Sequence, residues 1–142
     1  MPRTESHGEG SLTMAGEDYL ESIYRLKEEG HGYEDGSVRS VDVAEDLSVS
    51  KASVSKALTY LKENGMVDQA RYGRVMLTPQ GTEYARDVWR RHRALREFLI
   101  QELGVEPDVA DDEACLMEHD LSIDTMEKLY VYLEAHGIQV EE

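Results

Sequence analysis

Apolar side chains recur at three- and four-residue steps through the first half of the chain, which is the spacing of amphipathic helices. The stretch TMAGEDYLESIYRLKEEG predicts a first helix that Thr13 caps and that ends before Gly30. A second, shorter helix is predicted in SVDVAEDLSV. A third is predicted in SVSKASVSKALTYLKENG, where Ser48 or Ser50 can cap the helix and Gly65 can end it.

Strand-like periodicity replaces helical periodicity in the next stretch, MVDQARYGRVMLTPQG. Two short runs flank the basic sequence RYGR, in which Gly73 can adopt positive φ, and Thr78 with Pro79 then begins another helix. Two short helices in tandem also occur in ordinary helical hairpins. A helix-turn-helix followed by a basic two-stranded hairpin is the layout of a winged helix, which we predict for residues 12–78.

The remainder of the chain is predicted to be helical. A long helix from Thr78 to about Leu103 carries more apolar surface than one flank of a small domain requires, so it is expected to link two domains. Two acidic helices are predicted in the stretches EPDVADDEACLMEHDL and SIDTMEKLYVYLEAHG. They are too small to fold alone, which favours a homodimer. The predicted fold class is therefore mainly α, a winged helix-turn-helix with a β-hairpin wing, joined by a long helix to a helical dimerisation domain at residues 79–142. Residues 1–11 are predicted to be disordered.

Charge is distributed unevenly along the sequence. The net charge of −15 would by itself argue against a nucleic-acid partner. Residues 39–98, however, hold eleven of the fifteen Lys and Arg against eight acids, a net +3, whereas residues 1–38 carry −6 and residues 99–142 carry −12. Apolar runs are too short to span a bilayer and the polar N-terminus lacks a signal-peptide core, so a cytoplasmic protein with no membrane partner is expected.

Candidate metal ligands lie on three of the predicted helices. The single cysteine, Cys115, cannot form an internal disulfide, and on a helix it would share one face with Glu118 and His119 at the i, i+3 and i+4 positions. Asp18 and Glu21 are spaced i, i+3 on the first helix. His92 lies midway along the long helix. If these helices converge, the six side chains could hold one or two divalent ions.

Each candidate ligand also has a purely structural interpretation. Acids such as Asp18 and Glu21 are favoured near a helix start by the helix dipole. A histidine among arginines, as His92 is, can lie on the surface or contact phosphate, and a lone cysteine is often a small buried side chain. Acid-rich helices produce the spacing of Cys115, Glu118 and His119 by chance as well. Spacing alone therefore leaves both interpretations open.

An ordered series of motifs resembles a known family. The motifs are EDYLESIYRL, VAEDLSVSKASVSKALTYLKENGMV, VMLTPQG, RHRALREFL and DEACLMEHDLS, which together extend roughly over residues 13–137. They resemble the metal-dependent repressors that include the diphtheria toxin repressor and the manganese transport regulators, in their short two-domain form. The resemblance implies an N-terminal winged helix, a dimer formed by the C-terminal helices, and metal binding at the domain junction that promotes operator binding.

The resemblance also assigns ligands by position. The positions that match ligands of the manganese regulators are Asp18, Glu21, His92, Glu118 and His119. Cys115 departs from this pattern, because the manganese regulators of this length have a glutamate there, whereas the toxin repressor has cysteine. The toxin repressor in turn has methionine at the position of Asp18, and Arg96 and Asp111 replace ligands of its ancillary site. Carboxylates with histidine suit Mn²⁺ and a thiolate favours Fe²⁺, Zn²⁺ or Co²⁺, so Mn²⁺ or Fe²⁺ is expected, with Zn²⁺ and Co²⁺ able to bind in vitro.

The predicted function is a homodimeric, metal-activated repressor of metal-uptake genes that binds palindromic double-stranded operator DNA. Side chains predicted to contact DNA lie on the third helix and the wing: Ser50, Lys51, Ser53, Ser55, Lys56, Thr59, Arg71 and Arg74. One alternative is a winged-helix regulator that ignores metals and uses its acidic helices only as a dimer face. A second is a metal-dependent hydrolase, since such a cluster also activates water, although the chain has no HExxH motif.

Overall fold

A computed structural model describes residues 12–140. Within this range the chain forms two compact units, residues 12–86 and residues 87–140. The segment predicted to be disordered, residues 1–11, lies outside the described residues. The α-helices are α1 (Met14–Leu26), α2 (Ser40–Leu47), α3 (Lys51–Glu63), α4 (Pro79–Gln101), α5 (Pro107–Met117) and α6 (Ile123–Ala135), and the strands are β1 (Val38–Arg39), β2 (Val67–Gln69) and β3 (Arg74–Leu77). A π-helical turn, Lys27–His31, follows α1.

Helix starts follow the predicted caps. The Thr13 side chain accepts a hydrogen bond from the Gly16 N–H at 3.0 Å, and the hydroxyl of Ser50 accepts one from the Ser53 N–H at 3.1 Å. Of the two serines offered by the sequence, Ser50 is therefore the cap of α3. Ser48 instead ends α2 in the left-handed conformation, with φ of 54°. These caps satisfy N–H groups that the first turn of a helix leaves without partners.

The first turn of α4 approaches the chain before β2 very closely. A Cβ atom added at Gly81 would lie 1.9 Å from the carbonyl oxygen of Met66. The Thr78 hydroxyl accepts a hydrogen bond from the Gly81 N–H at 2.9 Å and donates one to the Gly65 carbonyl at 2.7 Å. Glycine is thus required at this position by the space available, and the contact fixes where α4 begins.

The sheet has three antiparallel strands in the order β1-β3-β2. Val67 of β2 pairs with Leu77, and Val38 of β1 pairs with Val75 on the other side of β3. The sequence predicted only the two strands of the wing, because a two-residue strand such as β1 is too short to show alternation. The turn between β2 and β3 has positive φ at both Tyr72 and Gly73, as a type I′ hairpin turn requires.

Part of the core of the first unit comes from apolar side chains at helical spacing on α1 and α3. α1 contributes Leu20 and Ile23, which are fully buried, and α3 contributes Val54, Leu58 and Leu61. These positions recur at three- and four-residue steps, so the spacing that predicted the helices is also the spacing that forms the core.

The second unit packs α5 and α6 against the later part of α4. Its buried core consists of alanine, leucine and methionine side chains: Ala94, Leu95, Leu99, Ala110, Ala114, Met126 and Leu133. The alanines of α5 let its backbone approach its neighbours closely, because they fill little volume between the helices. The fold class predicted from the sequence, a winged helix-turn-helix joined by a long helix to a helical domain, is confirmed. No helix within residues 12–140 has both the length and the apolar content of a membrane span.

Candidate metal centre and nucleic-acid surface

In the second unit His92 lies between two carboxylates. It is 5% exposed on α4, with Nδ1 2.8 Å from Oε2 of Glu118 and Nε2 2.8 Å from Oδ1 of Asp111. Trp89, one turn earlier, stacks on the imidazole with ring centroids 5.3 Å apart and planes 7° apart. The ring is therefore held in one orientation by contacts on its face and at both nitrogens.

Cys115, Glu118 and His119 come together where α5 ends. The helix stops at Met117, one residue before Glu118, which differs from the predicted continuous helix. Glu118 nevertheless keeps right-handed dihedral angles and its N–H donates to the Ala114 carbonyl at 2.9 Å. As a result each of the three side chains offers one ligand atom, and these atoms lie within 4.8 Å of one another.

The environment of this cluster is largely closed to solvent. Glu118 is 1% exposed and His119 is 7% exposed, while Cys115 is partly buried. The His119 Nε2 lies 3.5 Å from Oε1 of Glu118. Arg91, which is 2% exposed, donates to the Leu121 carbonyl at 2.6 Å and so ties the chain after His119 to α4. A buried carboxylate flanked by two imidazoles is stabilised by these partners and is also the donor arrangement that first-row divalent metals bind.

The first unit contributes the acidic pair predicted on α1. Asp18 is partly buried, and Glu21 is 7% exposed with Oε1 3.5 Å from Nε of Arg25. Arg25 also forms an ion pair with Asp46 at 2.8 Å. Burial lowers the pKa of Arg25, but the Asp46 and Glu21 carboxylates outweigh that effect and leave the pKa raised. The neighbouring acid Glu17 is fully buried and accepts a hydrogen bond from the Tyr84 hydroxyl at 2.5 Å, so it belongs to the structure of this unit.

The six predicted ligands thus fall into two groups, Asp18 and Glu21 in the first unit and His92, Cys115, Glu118 and His119 in the second. One further side chain, Asp111, was not among them. It is exposed on α5, one helical turn before Cys115, and Arg96 of α4 also approaches it at 3.4 Å. Its i, i+4 spacing to Cys115 was visible in the sequence, but its bond to His92 depends on how α4 and α5 pack.

The outer face of α3 carries the predicted DNA-contacting side chains. Val54, Leu58 and Leu61 turn into the core, which leaves the polar positions exposed. The exposed predicted residues on this helix and its cap are Ser50, Lys51, Ser53, Ser55, Lys56 and Thr59. Two of these hydroxyls also form hydrogen bonds within the helix and its cap. Ser50 caps the helix, and the Thr59 hydroxyl donates to the Ser55 carbonyl at 3.1 Å.

The wing lies next to α3 across a cleft of about 550 Å³. Lys51 and Ser55 of α3 and Arg74 of β3 line this cleft together with Tyr72. Arg71 is exposed in the hairpin turn, and Tyr72 is 86% exposed. The first unit therefore presents a polar helix face and a basic hairpin side by side.

Two family models match successive parts of the chain. Residues 11–75 match the model of the iron-dependent repressor N-terminal DNA-binding domain. Residues 78–137 match the model of the iron-dependent repressor metal-binding and dimerisation domain. Both models describe a repressor and not an enzyme, which contradicts the hydrolase alternative.

Two proteins with similar sequences are transcriptional regulators. The transcriptional regulator MntR of Salmonella typhimurium is 34% identical over 125 residues, which is 88% of this chain and 76% of that protein. An uncharacterised HTH-type transcriptional regulator of Methanocaldococcus jannaschii is 30% identical over 123 residues, which is 87% of this chain and 95% of that protein.

Solved structures of the same kind are similar in fold. The manganese regulator SloR superposes with a TM-score of 0.73 at 31% identity, covering 87% of this chain and 55% of SloR. A manganese-dependent transcriptional repressor in complex with manganese superposes with a TM-score of 0.73 at 35% identity, covering 84% of this chain and 52% of that one. The chain spans about half the length of these two structures. Because the two family models together cover most of its residues, the chain belongs to the iron-dependent repressor family, as the sequence motifs predicted.

Proposed function

We propose that the protein is a homodimeric transcriptional repressor, located in the cytoplasm, that binds palindromic operator DNA of metal-uptake genes when loaded with Mn²⁺ or Fe²⁺. The observation that carries this proposal is the meeting of a thiol, a carboxylate and an imidazole at Cys115, Glu118 and His119, with His92 bonded to the same carboxylate. These residues lie in the part of the chain that matches a metal-binding and dimerisation domain.

The proposed ligand set is Asp18, Glu21, His92, Cys115, Glu118 and His119. A bound divalent cation supplies positive charge to a set that otherwise contains three carboxylates and a thiol. Asp18 and Glu21 are included because they occupy the positions of acidic ligands in the manganese regulators and lie one turn apart on α1. Ligands drawn from both the DNA-binding and the dimerisation parts of the chain would link metal binding to DNA binding.

Asp111 has a supporting role in this proposal. A histidine that binds a metal through one ring nitrogen usually donates the N–H of the other to a carboxylate, which fixes its tautomer and orientation. Asp111 lies 2.8 Å from Nε2 of His92, on the side away from Glu118. We therefore assign Nδ1 as the ligand atom of His92 and Asp111 as the acceptor that orients the ring.

The choice between Mn²⁺ and Fe²⁺ turns on Cys115. Thiolates favour Fe²⁺, Co²⁺ and Zn²⁺, whereas carboxylate oxygens suit Mn²⁺, and intrinsic affinities place Mn²⁺ last among these ions. The other proposed ligands are three carboxylates and two imidazoles, and MntR of Salmonella typhimurium is among the relatives. We propose Mn²⁺ as the activating ion, Fe²⁺ as its nearest competitor, and Zn²⁺ and Co²⁺ as ions that bind in vitro.

For DNA binding we propose that α3 enters the major groove of each half-site and that the wing contacts phosphates or the minor groove. The polar face of α3 carries hydroxyls and only two lysines among its exposed predicted contacts, Lys51 and Lys56. Hydroxyls can bond to several bases, so DNA shape would contribute to specificity alongside direct hydrogen bonds. Arg71 and Arg74 supply the charge of the wing.

The experiment that tests the proposal combines metal analysis with DNA binding. The full protein is purified without oxygen, its metal content is measured, and its affinity is determined for a duplex selected by the metal-loaded protein from a random-sequence library. We expect tight binding with Mn²⁺ or Fe²⁺ and weak binding in chelator. Glu118→Gln should abolish this difference, whereas Glu113→Gln, at an exposed position on α5, should retain it. Equal affinity in chelator and in excess metal would favour the metal-independent regulator instead.

A further inference from the structure

The segment between the π-helical turn that follows α1 and β1, residues 32–37, forms a closed loop. The Tyr33 N–H donates to the Ser37 carbonyl at 2.8 Å, and the Gly36 N–H donates to the Tyr33 carbonyl at 2.9 Å. Oδ1 of Asp35 accepts from the Ser37 hydroxyl at 2.6 Å and from its N–H at 2.9 Å. These two bonds lower the pKa of Asp35, the side-chain bond more than the backbone bond. The conformation of the loop is therefore fixed by its own hydrogen bonds.

The sheet joins this loop directly to the wing. Ser37, the last residue of the loop, is fully buried and precedes β1. In the sheet Val38 pairs with Val75 and Arg39 pairs with Arg74, so β1 lies along the wing strand β3. Both valines are fully buried, which resists sliding of β1 against β3. A loop that is rigid and anchored in this way presents its side chains to β3 in a defined position.

The side chain that the loop presents is Tyr33, and it contacts Arg74. The guanidinium carbon of Arg74 lies 4.2 Å from the centre of the Tyr33 ring and 5.8 Å from that of Tyr72. Nε of Arg74 donates to the Arg71 carbonyl at 3.2 Å. Among residues 12–140 this is the one side-chain hydrogen bond that Arg74 donates, so its two terminal NH₂ groups keep their hydrogens for another acceptor.

We propose that Tyr33 is a positioning residue for DNA binding, which holds the Arg74 guanidinium ready to contact a DNA phosphate. An arginine on an exposed hairpin loses side-chain entropy when it is fixed by a ligand. A guanidinium that already rests on an aromatic ring loses less, and the contact leaves its N–H groups in the plane free to donate. The proposal rests on the proposed role of Arg74 in DNA binding and assigns a function to the loop at residues 32–37.

The test is a double-mutant cycle in the full, Mn²⁺-loaded protein, with the selected duplex as the probe. Tyr33→Leu removes the ring, Arg74→Ala removes the guanidinium, and the double variant removes both. We expect Tyr33→Leu to weaken binding about two- to fivefold, the fold-change that corresponds to an exposed cation–π contact. In the Arg74→Ala background it should weaken binding no further. Tyr33→Phe, which keeps the ring, should bind like the parent.

The salt dependence separates positioning from charge. Arg74→Ala should lower the slope of log affinity against log salt by about one, since one phosphate contact is lost, whereas Tyr33→Leu should leave the slope unchanged. Equal losses from Tyr33→Leu in both backgrounds would contradict the proposal, because the tyrosine would then act without Arg74. If Arg74→Ala weakens binding and Tyr33→Leu does not, the positioning role alone fails and the proposed function stands. If the parent shows no metal-dependent DNA binding, the proposed function itself fails.

A measurement without DNA guards against variants that fold poorly. In the free protein the Tyr33 ring current should shift the Arg74 side-chain NMR resonances upfield. The shift should persist in Tyr33→Phe and decrease in Tyr33→Leu to the smaller contribution of the more distant Tyr72 ring, while the backbone resonances of α3 stay in place. Arg74 resonances at random-coil positions in the parent protein would overturn the proposal directly.

Discussion

Cys115 is the one thiol in the proposed ligand set, whose other members are carboxylates and imidazoles. Its thiol lies within 4.8 Å of ligand atoms of Glu118 and His119, close enough for the three to share one ion. A core cysteine would tolerate small replacements with little functional effect, because serine or alanine fills most of its volume. A ligand would not, since the oxygen of serine is a poor substitute for a thiolate toward softer metals.

Replacement of Cys115 by serine should therefore weaken metal activation, most strongly for Fe²⁺, Co²⁺ and Zn²⁺. Cys115→Glu should retain activation by Mn²⁺, because a carboxylate suits that ion. The direct measurement is the absorption spectrum of the Co²⁺ complex, which should show a thiolate charge-transfer band in the parent and none in Cys115→Ser. A parent spectrum without that band, together with an unchanged metal response of Cys115→Ser, would make Cys115 a core residue.

Asp111 provides a second test at the scale of single residues. Loss of a carboxylate that orients a metal-binding histidine typically costs 10- to 100-fold in metal affinity, and we expect Asp111→Ala to weaken Mn²⁺ binding by about tenfold. Asp112→Ala, an exposed neighbour on α5 that removes the same charge, is the matched control and should bind like the parent. Calorimetric titration of both variants measures the difference. If both lose affinity equally, the effect is one of net charge and Asp111 does not orient His92.

At the scale of elements, α4 depends on one close contact at its start. Glycine is normally worse than alanine inside a helix by about 1 kcal/mol, so propensity alone predicts that Gly81→Ala stabilises the protein. The added Cβ would lie 1.9 Å from the Met66 carbonyl oxygen, and overpacking of this kind costs about 1–3 kcal/mol. We expect Gly81→Ala to lower the free energy of unfolding in urea, while Gln80→Ala, an exposed neighbour, changes it by less than about 0.5 kcal/mol. A more stable Gly81→Ala would show that the chain shifts at little cost.

The exposed face of α3 is predicted to contact DNA. Lys56 lies on this face, and Lys62 lies on the same helix one residue after the buried Leu61. Lys56→Ala should weaken DNA binding without changing metal affinity, and should lower the salt slope by about one if the lysine contacts one phosphate. Lys62→Ala removes the same charge and should have a smaller effect. Similar effects of both substitutions would indicate general electrostatic attraction instead of a contact surface on α3.

The sequence predicted most elements because their signals are local. The α3 cap at Ser50, the glycine in the wing turn and the apolar spacing of α1 all act within a few residues of one another. β1 escaped prediction because it has two residues and is defined by its pairing with β3. The end of α5 at Met117 was also missed, since right-handed dihedral angles at Glu118 preserve the spacing of the ligands beyond the last helical residue.

The candidate site was predictable only in part, because only some of its contacts are between residues close in sequence. The spacing of Cys115, Glu118 and His119 is local, so the sequence contained it. His92 of α4 bonds to Glu118, just after α5, across 26 residues and to Asp111 of α5 across 19 residues, and no local pattern encodes these bonds. The contact of Tyr33 with Arg74 likewise depends on the pairing of β1 with β3.

At the scale of the whole molecule, acidic and basic residues are concentrated in different regions of the chain. In the proposed function this distribution of charge allows a bound metal to regulate DNA binding. The acidic regions, residues 1–38 and residues 99–142, carry −6 and −12, and they flank a region of net +3 that contains α3 and the wing. Such a chain approaches a polyanion against its own overall charge. A divalent cation held by the three acids and the thiol of the proposed ligand set would make the loaded protein less negative than the empty one. The smaller negative charge favours DNA binding of the loaded form.

In the proposed function metal binding and DNA binding are thermodynamically coupled, and the most direct test measures this coupling from both sides. Operator affinity is determined in chelator and in saturating Mn²⁺, and Mn²⁺ affinity is determined without and with saturating duplex. Linkage requires the two ratios to agree, and we expect both to lie between about 5- and 150-fold, equivalent to about 1–3 kcal/mol. A ratio of one in either titration, with both ligands shown to bind, would contradict the account.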